Sequence, residues 1–462
     1  MKEKAGSENK MANAPVKKLM LWVGMPIIIS MMLQAFYNIV DSIFVSNMAQ
    51  NGELALNALT LAFPVQMLMV AIGVGTGVGT NALLSKSLGA GENEKAGRVA
   101  GISIFLSFII YIVFLLFGIF GTEYYISSQS SNPVIIEMGT QYLRICCVYS
   151  FGLIFFSTFE KLLQSTGRSG LSTVSQVSGA VTNIVLDPIM IYGLLGCKEM
   201  GVAGAAYATV IGQIVSFAVG LIFYLKYCKE IKNSPKYLKP NLNIIKEIYS
   251  IGFPAIVSQA LMSFMTYGLN IIYGKIDENV VTAYGLYYKI QQFVMFAAFG
   301  MRDAITPIIS YNHGRKEKNR MTQGIKYGII YTVVIMAVGM LIIEALADPL
   351  STVFGLSGET RSICVTAMRV ISVSFVFAGV NIALQGIFQA LNAGWQSLVI
   401  SLLRQFVLVI PVSWIVLRVF NVTQNNLWAE WCVFIFAEFI SLLIAVWLLK
   451  GVYKKQISPL EG

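Results

Sequence analysis

The sequence predicts an all-α polytopic membrane protein with twelve transmembrane helices. These form two six-helix lobes related by a pseudo-two-fold axis along the membrane normal. Three observations predict it. Hydrophobic residues make up 56% of the 462-residue chain and charged residues only 12%, about half the roughly 25% charged share of soluble domains. Windows such as "GISIFLSFIIYIVFLLFGIFG" carry no charge over about 20 residues, the length a helix needs to cross a bilayer. Motifs in the first half of the chain also recur in the second at a near-constant offset.

Apolar windows bounded by loop signals place the spans at 17–46, 55–86, 97–121, 136–162, 170–195, 201–227, 245–275, 281–311, 322–346, 361–389, 395–420 and 427–450. Charge then sorts the loops. One side carries Lys2, Lys4, Lys10, Lys17 and Lys18, then Lys86, Lys95 and Arg98, then the basic stretch from Lys226 to Lys246. Arg315, Lys316, Lys318 and Arg320 follow on that side, with Lys450, Lys454 and Lys455 in the tail. The other side carries Glu53, Glu123, Asp277, Glu278 and Asp348. Cations concentrate on the cytoplasmic side. Both termini are therefore expected in the cytoplasm of a multi-pass plasma (inner) membrane protein, which needs an even number of spans. The polar, basic opening "MKEKAGSENKMANAPVKK" lacks a cleavage signature, so no cleaved signal peptide is expected.

The net charge of +10 follows from these loops, so the bilayer is the expected partner and nucleic acid is not. The six cysteines lack metal or redox spacing and read as packing residues. His313 is the sole histidine, which leaves no histidine-rich metal site and no histidine triad. No cofactor and a monomer are expected.

The repeat is visible in several motifs. "GMPIIIS" at Gly24 matches "GFPAIVS" at Gly252, and "YLRI" at Tyr142 matches "AMRV" at Ala367. Gln164 pairs with Gln389, and Gly89 with Gly314. Six helices return the chain to its starting side, so both copies share one orientation, as in transporters built from parallel repeats. The expected organisation is an N-terminal segment 1–16, an N-lobe 17–227, a linker 228–244, a C-lobe 245–450 and a tail 451–462.

Together, "NIVDSIFVSNM", "SKSLGAGENEKA", "TNIVLDPIMIYG" and "GVAGAAYATVIGQ" resemble the multidrug and toxic compound extrusion (MATE) transporters, over nearly the whole chain. The resemblance implies cation-coupled export of amphipathic, often cationic, drugs or metabolites through two lobes, driven by H⁺ or Na⁺. It also implies an N-lobe cation site: an aspartate on the first span, an asparagine and an aspartate on the fifth, and a threonine on the sixth. Motif for motif these are Asp41, Asn183, Asp187 and Thr209, which would hold H⁺ or Na⁺.

The residues support that assignment on physical grounds. An ionisable group inside a membrane helix is costly and is a functional candidate by default. Asn183 and Asp187 are four apart and share a helix face, which Gln176 and Ala180 continue. Pro188 frees a backbone carbonyl beside them. Gln34, Asn38 and Asp41 form a stripe on the first span, and Thr209, Gln213 and Ser216 one on the sixth. Two carboxylates in a low-dielectric pocket favour holding a proton between them. Hard oxygen ligands also take a small cation. Plain helix packing is the alternative for each residue, most of all for Thr209 within "GAAYAT".

The C-lobe is different. The seventh span carries the neutral stripe Gln259, Ser263, Thr266 and Asn270, the tenth Asn381, Gln385 and Gln389, and Val412 takes the repeat position of Asp187. Arg302 and Asp303 are adjacent in the eighth span and point different ways, so each is expected to pair elsewhere, in an inter-helix ion pair or at substrate. Glu160 and Lys161 read as interfacial, and Arg404 as a possible cleft residue. Substrate would meet Gln34, Phe36, Tyr37, Asn38, Phe155 and Gln176 from the N-lobe, and Met262, Met265, Thr266, Tyr267, Tyr287 and Phe293 from the C-lobe, with Arg302 and Asp303. Aromatic faces attract organic cations and methionines adapt to varied shapes.

Other classes fit less well. A flippase for lipid-linked saccharides would favour a strongly cationic cavity. A membrane-embedded enzyme lacks H-E-x-x-H and G-x-S-x-G here, and no Walker motif supports ATP-driven pumping. "GVGTGVGT" at Gly73 lies inside a span and reads as helix packing. A channel leaves the duplication unexplained.

Overall fold

The computed structural model describes residues 6–48, 52–353, 356–423 and 426–460, with side chains for all of these except 6–9, 38, 39, 42, 46, 52, 53 and 353. Lys2 and Lys4, and the side chains of Asn38 and Glu53, therefore lie outside the described residues. Every regular element described is helical. A short α1 (Gly6–Asn13) precedes α2 (Val16–Ser46), α3 (Gly52–Gly89), α4 (Asn93–Phe120) and a one-turn α5 (Thr122–Ser127). Then come α6 (Pro133–Val148), α7 (Phe151–Ser165), α8 (Ser169–Tyr192) and α9 (Gly201–Tyr227). The second half holds α10 (Leu242–Tyr273), α11 (Glu278–Gly314), α12 (Lys318–Val353), α13 (Gly358–Ser372) and α14 (Phe375–Ala390). It ends with α15 (Gly394–Leu402), a π-helical turn Leu403–Val407, α16 (Val409–Val419) and α17 (Trp428–Gln456).

Among the described residues, ten helices are long and apolar enough to cross a membrane, and two bent pairs complete the twelve. The fourth span is α6 and α7, bent by 44°, and the tenth is α13 and α14, bent by 54°. The apolar windows 136–162 and 361–389 run through these bends as one span each. Neither break contains proline, so no helix-breaking signal announces it. Ends follow local chemistry. Asn132 caps α6 by accepting from Val134 N–H at 3.0 Å, with Pro133 in the first turn. Gly193 closes α8 at φ +72°, a left-handed position that suits glycine. Large apolar side chains face outward, Phe120 at 78% exposure and Trp447 at 71%, as lipid contact requires.

The duplication is repeated in the bonding. Ser85 Oγ donates to the Ser165 carbonyl at 3.3 Å, and Ser310 Oγ donates to the Ala390 carbonyl at 3.1 Å. Both partners are displaced by the same offset as Gln164 and Gln389.

The chain forms two compact units. Unit 1 is Met1–Asn13 with Ile29–Ile256, and unit 2 is Ala14–Ile28 with Val257–Gly462. The division falls within α2 and within α10, so each unit takes a helix half from each.

In unit 1, α8 and α9 meet backbone to backbone. A Cβ on Gly179 would collide with Ser216 Oγ and the Gly212 carbonyl, and one on Gly212 would stand 2.7 Å from the Gly179 carbonyl. Small residues permit this approach where lipid gives helices little hydrophobic reason to associate. In α3, Gly77 leaves room for Lys161 of α7, whose Cγ would lie 2.7 Å from a Cβ there. Gly179→Val is expected to destabilise the protein by about 1–3 kcal/mol through overpacking. It should lower the apparent melting temperature in detergent. Gly170→Ala, with nothing within 4 Å of the added Cβ, should leave it unchanged.

Candidate functional site

The α8–α9 contact brings three of the four candidate ion ligands together. Asp187 is wholly buried and Asn183 nearly so. Asn183 Nδ2 donates to Asp187 Oδ1 at 3.2 Å and to Thr209 Oγ1 at 3.4 Å. Asp41, on α2, lies within electrostatic range of Asp187 and Tyr37. Three buried oxygens, Asp41 Oδ1, Asn183 Oδ1 and Asp187 Oδ2, find no hydrogen-bond partner among the described residues. Buried oxygens are rarely left so. The set is all oxygen: two carboxylates, an amide and a hydroxyl. That chemistry suits a proton or a small hard cation.

A pocket of about 750 Å³, counting space open to the outside, lies beside this cluster. Gln34, Tyr37, Gln176, Asn183, Thr209 and Gln213 all line it. Gln176 Nε2 donates to Gln34 Oε1 at 3.3 Å, joining α8 to α2. Phe36 is half exposed and Phe155 packs on Phe217 at a tilt, 5.6 Å between centroids; neither lines the pocket. Behind the carboxylates, Gln66 of α3 donates to Tyr142 Oη at 3.2 Å and to Cys146 Sγ at 3.5 Å. Both of those groups feel Asp41, so this layer belongs to the site's surroundings. Only tertiary structure reveals it.

Lys161 corrects the sequence reading. It is 1% exposed, donates to Gln164 Oε1 at 3.0 Å and lines the same pocket with Glu160. It is not interfacial. The room comes from Gly77 on another helix, which its own sequence neighbourhood does not announce.

Unit 2 holds a pocket of about 580 Å³ in the repeat-equivalent place. Met262 and Met265 stand where unit 1 has Gln34 and Tyr37, Met295 and Phe299 where it has Val70 and Val74. Arg404, Phe434 and Glu438 replace Gly179, Thr209 and Gln213. The polar seam of unit 1 thus becomes a softer wall with an ion pair. Arg404 Nε reaches both Glu438 oxygens at 2.9 and 2.8 Å, and Nη2 reaches Oε1 at 2.6 Å. Asn381 Nδ2 adds a bond to Glu438 Oε2 at 2.7 Å. Arg404 sits on the π-helical turn, a distortion often found at functional sites.

The other candidates of unit 2 lie elsewhere. Thr266 Oγ1 donates to its own helix at the Met262 carbonyl, 3.1 Å away. Tyr267 is 68% exposed, Tyr287 is wholly buried against Tyr284, and Phe293 is half-buried. Arg302 and Asp303 pair with each other despite their adjacency: Arg302 Nη2 lies 2.9 Å from Asp303 Oδ1, and the guanidinium lies over Phe299 at 4.9 Å. Gly386 of α14 gives it space. Glu438 went unread in the sequence, although an acid in the apolar run "FIFAEFISLL" is the same signal that marks Asp187.

The fold has counterparts among known proteins. The family model MatE matches residues 26–189 and 254–415, one block in each half of the duplication. The multidrug export protein MepA of Staphylococcus saprophyticus subsp. saprophyticus is 26% identical over 408 residues, 88% of this chain and 89% of that protein. MepA of Staphylococcus aureus is 24% identical over 410 residues, 89% of each. A multidrug resistance MATE family transporter of the MOP superfamily, solved in an outward-facing conformation, has a TM-score of 0.89 at 24% identity, covering 96% of this chain and 98% of that one. A MATE solved in straight and in bent conformations gives TM-scores of 0.89 and 0.87, each at 24% identity, covering 96% and 98% of this chain and 98% and 99% of those. With duplicated six-helix halves, matching blocks in both and relatives spanning nearly its full length, this chain belongs to the MatE family.

Proposed function

We propose that this chain is a cation-coupled antiporter of the plasma membrane, monomeric, with both termini cytoplasmic. It exports amphipathic organic molecules by alternating access, exchanging them for H⁺ or Na⁺ at Asp41, Asn183, Asp187 and Thr209. The observation that carries this reading is the convergence of three unpartnered buried oxygens, from Asp41, Asn183 and Asp187, beside an open pocket. The names of the relatives, multidrug export proteins, support the substrate class.

Each residue has a distinct task. Asn183 spends its amide hydrogens on Asp187 and Thr209, which fixes the carboxylate and turns its own oxygen inward. Thr209 anchors that amide from α9. Asp41 brings a second negative charge from α2. The bound cation neutralises charge at the site. Without it, Asp41 and Asp187 repel, and α2 and α8 are pushed apart. The two charge states therefore favour different α2 arrangements, and that difference in interaction energy is what shifts a conformational equilibrium. The Gln34–Gln176 bond, between the same two helices, would register the change.

Substrate is assigned to the pockets of the two units. Met262, Met265 and Met295 with Phe299 and Phe434 supply an adaptable apolar wall. Arg404 and Glu438 cancel each other there, so the wall of unit 2 selects for shape and apolar area more than for charge.

Transport into proteoliposomes under separate Na⁺ and proton gradients tests the coupling residues. Asp41→Asn and Asp187→Asn should each cut gradient-driven transport roughly tenfold, the scale of a coupling energy of about 1–3 kcal/mol. Equal driving by the gradient in parent and variants would refute the assignment, and strong movement of lipid-linked saccharides without drug export would favour a flippase. For the unit 2 pocket, Arg404→Ala strands Glu438 and should cost about 3–5 kcal/mol of stability, much of it recovered in the Arg404→Ala/Glu438→Ala double variant. Thermal unfolding in detergent reads that pattern. Binding of a lipophilic quaternary ammonium should strengthen in Arg404→Ala and weaken in Glu438→Ala.

A further inference from the structure

Unit 2 contains a buried carboxylate outside both pockets. Glu430, in the first turn of α17, is wholly buried. Ser413 of α16 donates its hydroxyl to Glu430 Oε1, and Oε2 has no hydrogen-bond partner among the described residues. The described ion pairs of unit 2 lie elsewhere: Arg302 with Asp303, Arg315 with Glu317, Arg361 with Asp348 and Arg404 with Glu438. Lys275 and Arg418 both rest on the ring of Trp414.

The surroundings are hydroxyl-rich. Tyr273 of α10, which feels the charge of Glu430, packs at 4.9 Å on Tyr284 of α11 and at 5.3 Å on Trp431. Tyr287 follows at 6.0 Å from Tyr284. All three tyrosine hydroxyls and Trp431 Nε1 are buried without a hydrogen-bond partner among the described residues. The other titratable groups here are Tyr288, which packs on Tyr284 and acts electrostatically on Tyr284 and Tyr287, Cys364 of α13, at the Tyr287 backbone, and Glu438, which acts electrostatically on Tyr287 and is held by Arg404. An ionised carboxylate buried without a cation is prohibitively expensive; such a group neutralises. A proton does so with no further ligand, whereas Na⁺ requires several oxygens around it.

The repeat gives the position meaning. Ser413 takes the place of Pro188, the residue after Asp187, and Glu430 takes the place of Ala205, one turn before Thr209. Each unit thus has a buried carboxylate between equivalent helices, on α8 in unit 1 and on α17 in unit 2. We propose that Glu430 is a second proton-binding site, belonging to unit 2 and set beside the hydroxyls of Ser413 and Tyr273. Binding adds one proton at Oε2 and cancels the charge; release returns that proton to water. Its place in a transport cycle rests on the antiporter reading above, but its protonation does not.

Infrared difference spectra of the full chain in lipid, taken through a pH titration, test it. In an Asp41→Asn/Asp187→Asn background, protonated-carboxyl C=O absorption should persist, and adding Glu430→Gln should remove one carboxyl's worth of it. Ser413→Ala in the same background should keep the intensity and shift the frequency, which also covers the case that the glutamine variant does not fold. A spectrum unmoved by both changes would overturn the proposal. So would loss of the signal on adding Na⁺ at constant pH, which would make the site a sodium site. Transport plays no part in this readout, so failure of the antiporter reading would show separately, in the proteoliposome fluxes.

Discussion

With no Cβ at Gly179 or Gly212, α8 and α9 press together until side chains on both helices share one small space. Asn183 then reaches Thr209 across the seam and Asp187 along its own helix at the same time. The same closeness keeps water from Asp187, which is wholly buried. A carboxylate in that setting has few options, because the desolvation cost is met only by a proton, a cation or donors. Asn183 provides one donor and leaves Oδ2 unmatched. The proposed ion sensitivity thus rests on a packing feature. A longer α8–α9 separation would admit water and leave an ordinary surface acid.

The duplication makes the same seam a natural comparison. At the position of Gly179, unit 2 carries Arg404, and at the position of Gln213 it carries Glu438. A guanidinium cannot fit where two backbones touch. The eleventh span correspondingly opens into a π-helical turn at Leu403–Val407, and the charge is answered by a bidentate partner. A similar exchange occurs elsewhere. Gly77 in unit 1 makes room for Lys161, while at the equivalent contact in unit 2 Arg302 is the large residue and Gly386 the small one. One scaffold therefore supports two different interiors, one tuned to uncompensated negative charge and one to a neutral, adaptable wall.

Much of this is legible in the sequence, for identifiable reasons. Apolar windows and loop cations locate the spans because lipid imposes a length and a composition on every crossing helix. Asn183 and Asp187 are readable as a pair because four residues is about one helical turn. Other features depend on partners far away in the chain. The bends in α6–α7 and α13–α14 carry no proline, so periodicity runs through them unbroken. Lys161 looks interfacial until Gly77 is seen to receive it. Adjacent residues on a helix usually diverge, yet Arg302 folds back to Asp303 because Phe299 offers its ring face one turn earlier. Glu430 and Glu438 were visible as acids in an apolar run, but their meaning comes from Ser413 and Arg404 on the neighbouring span.

Asp187 is the proposed group through which a cation and a substrate oppose each other. Linkage makes that opposition measurable at equilibrium, because each ligand must change the other's affinity by the same factor. The most direct measurement is substrate affinity of the purified protein as a function of pH and of Na⁺ concentration, in the parent and in Asp187→Asn. Affinity in the parent should vary with one of the two cations, and in the variant it should be flat. A variant that kept the parent's full cation dependence would contradict it.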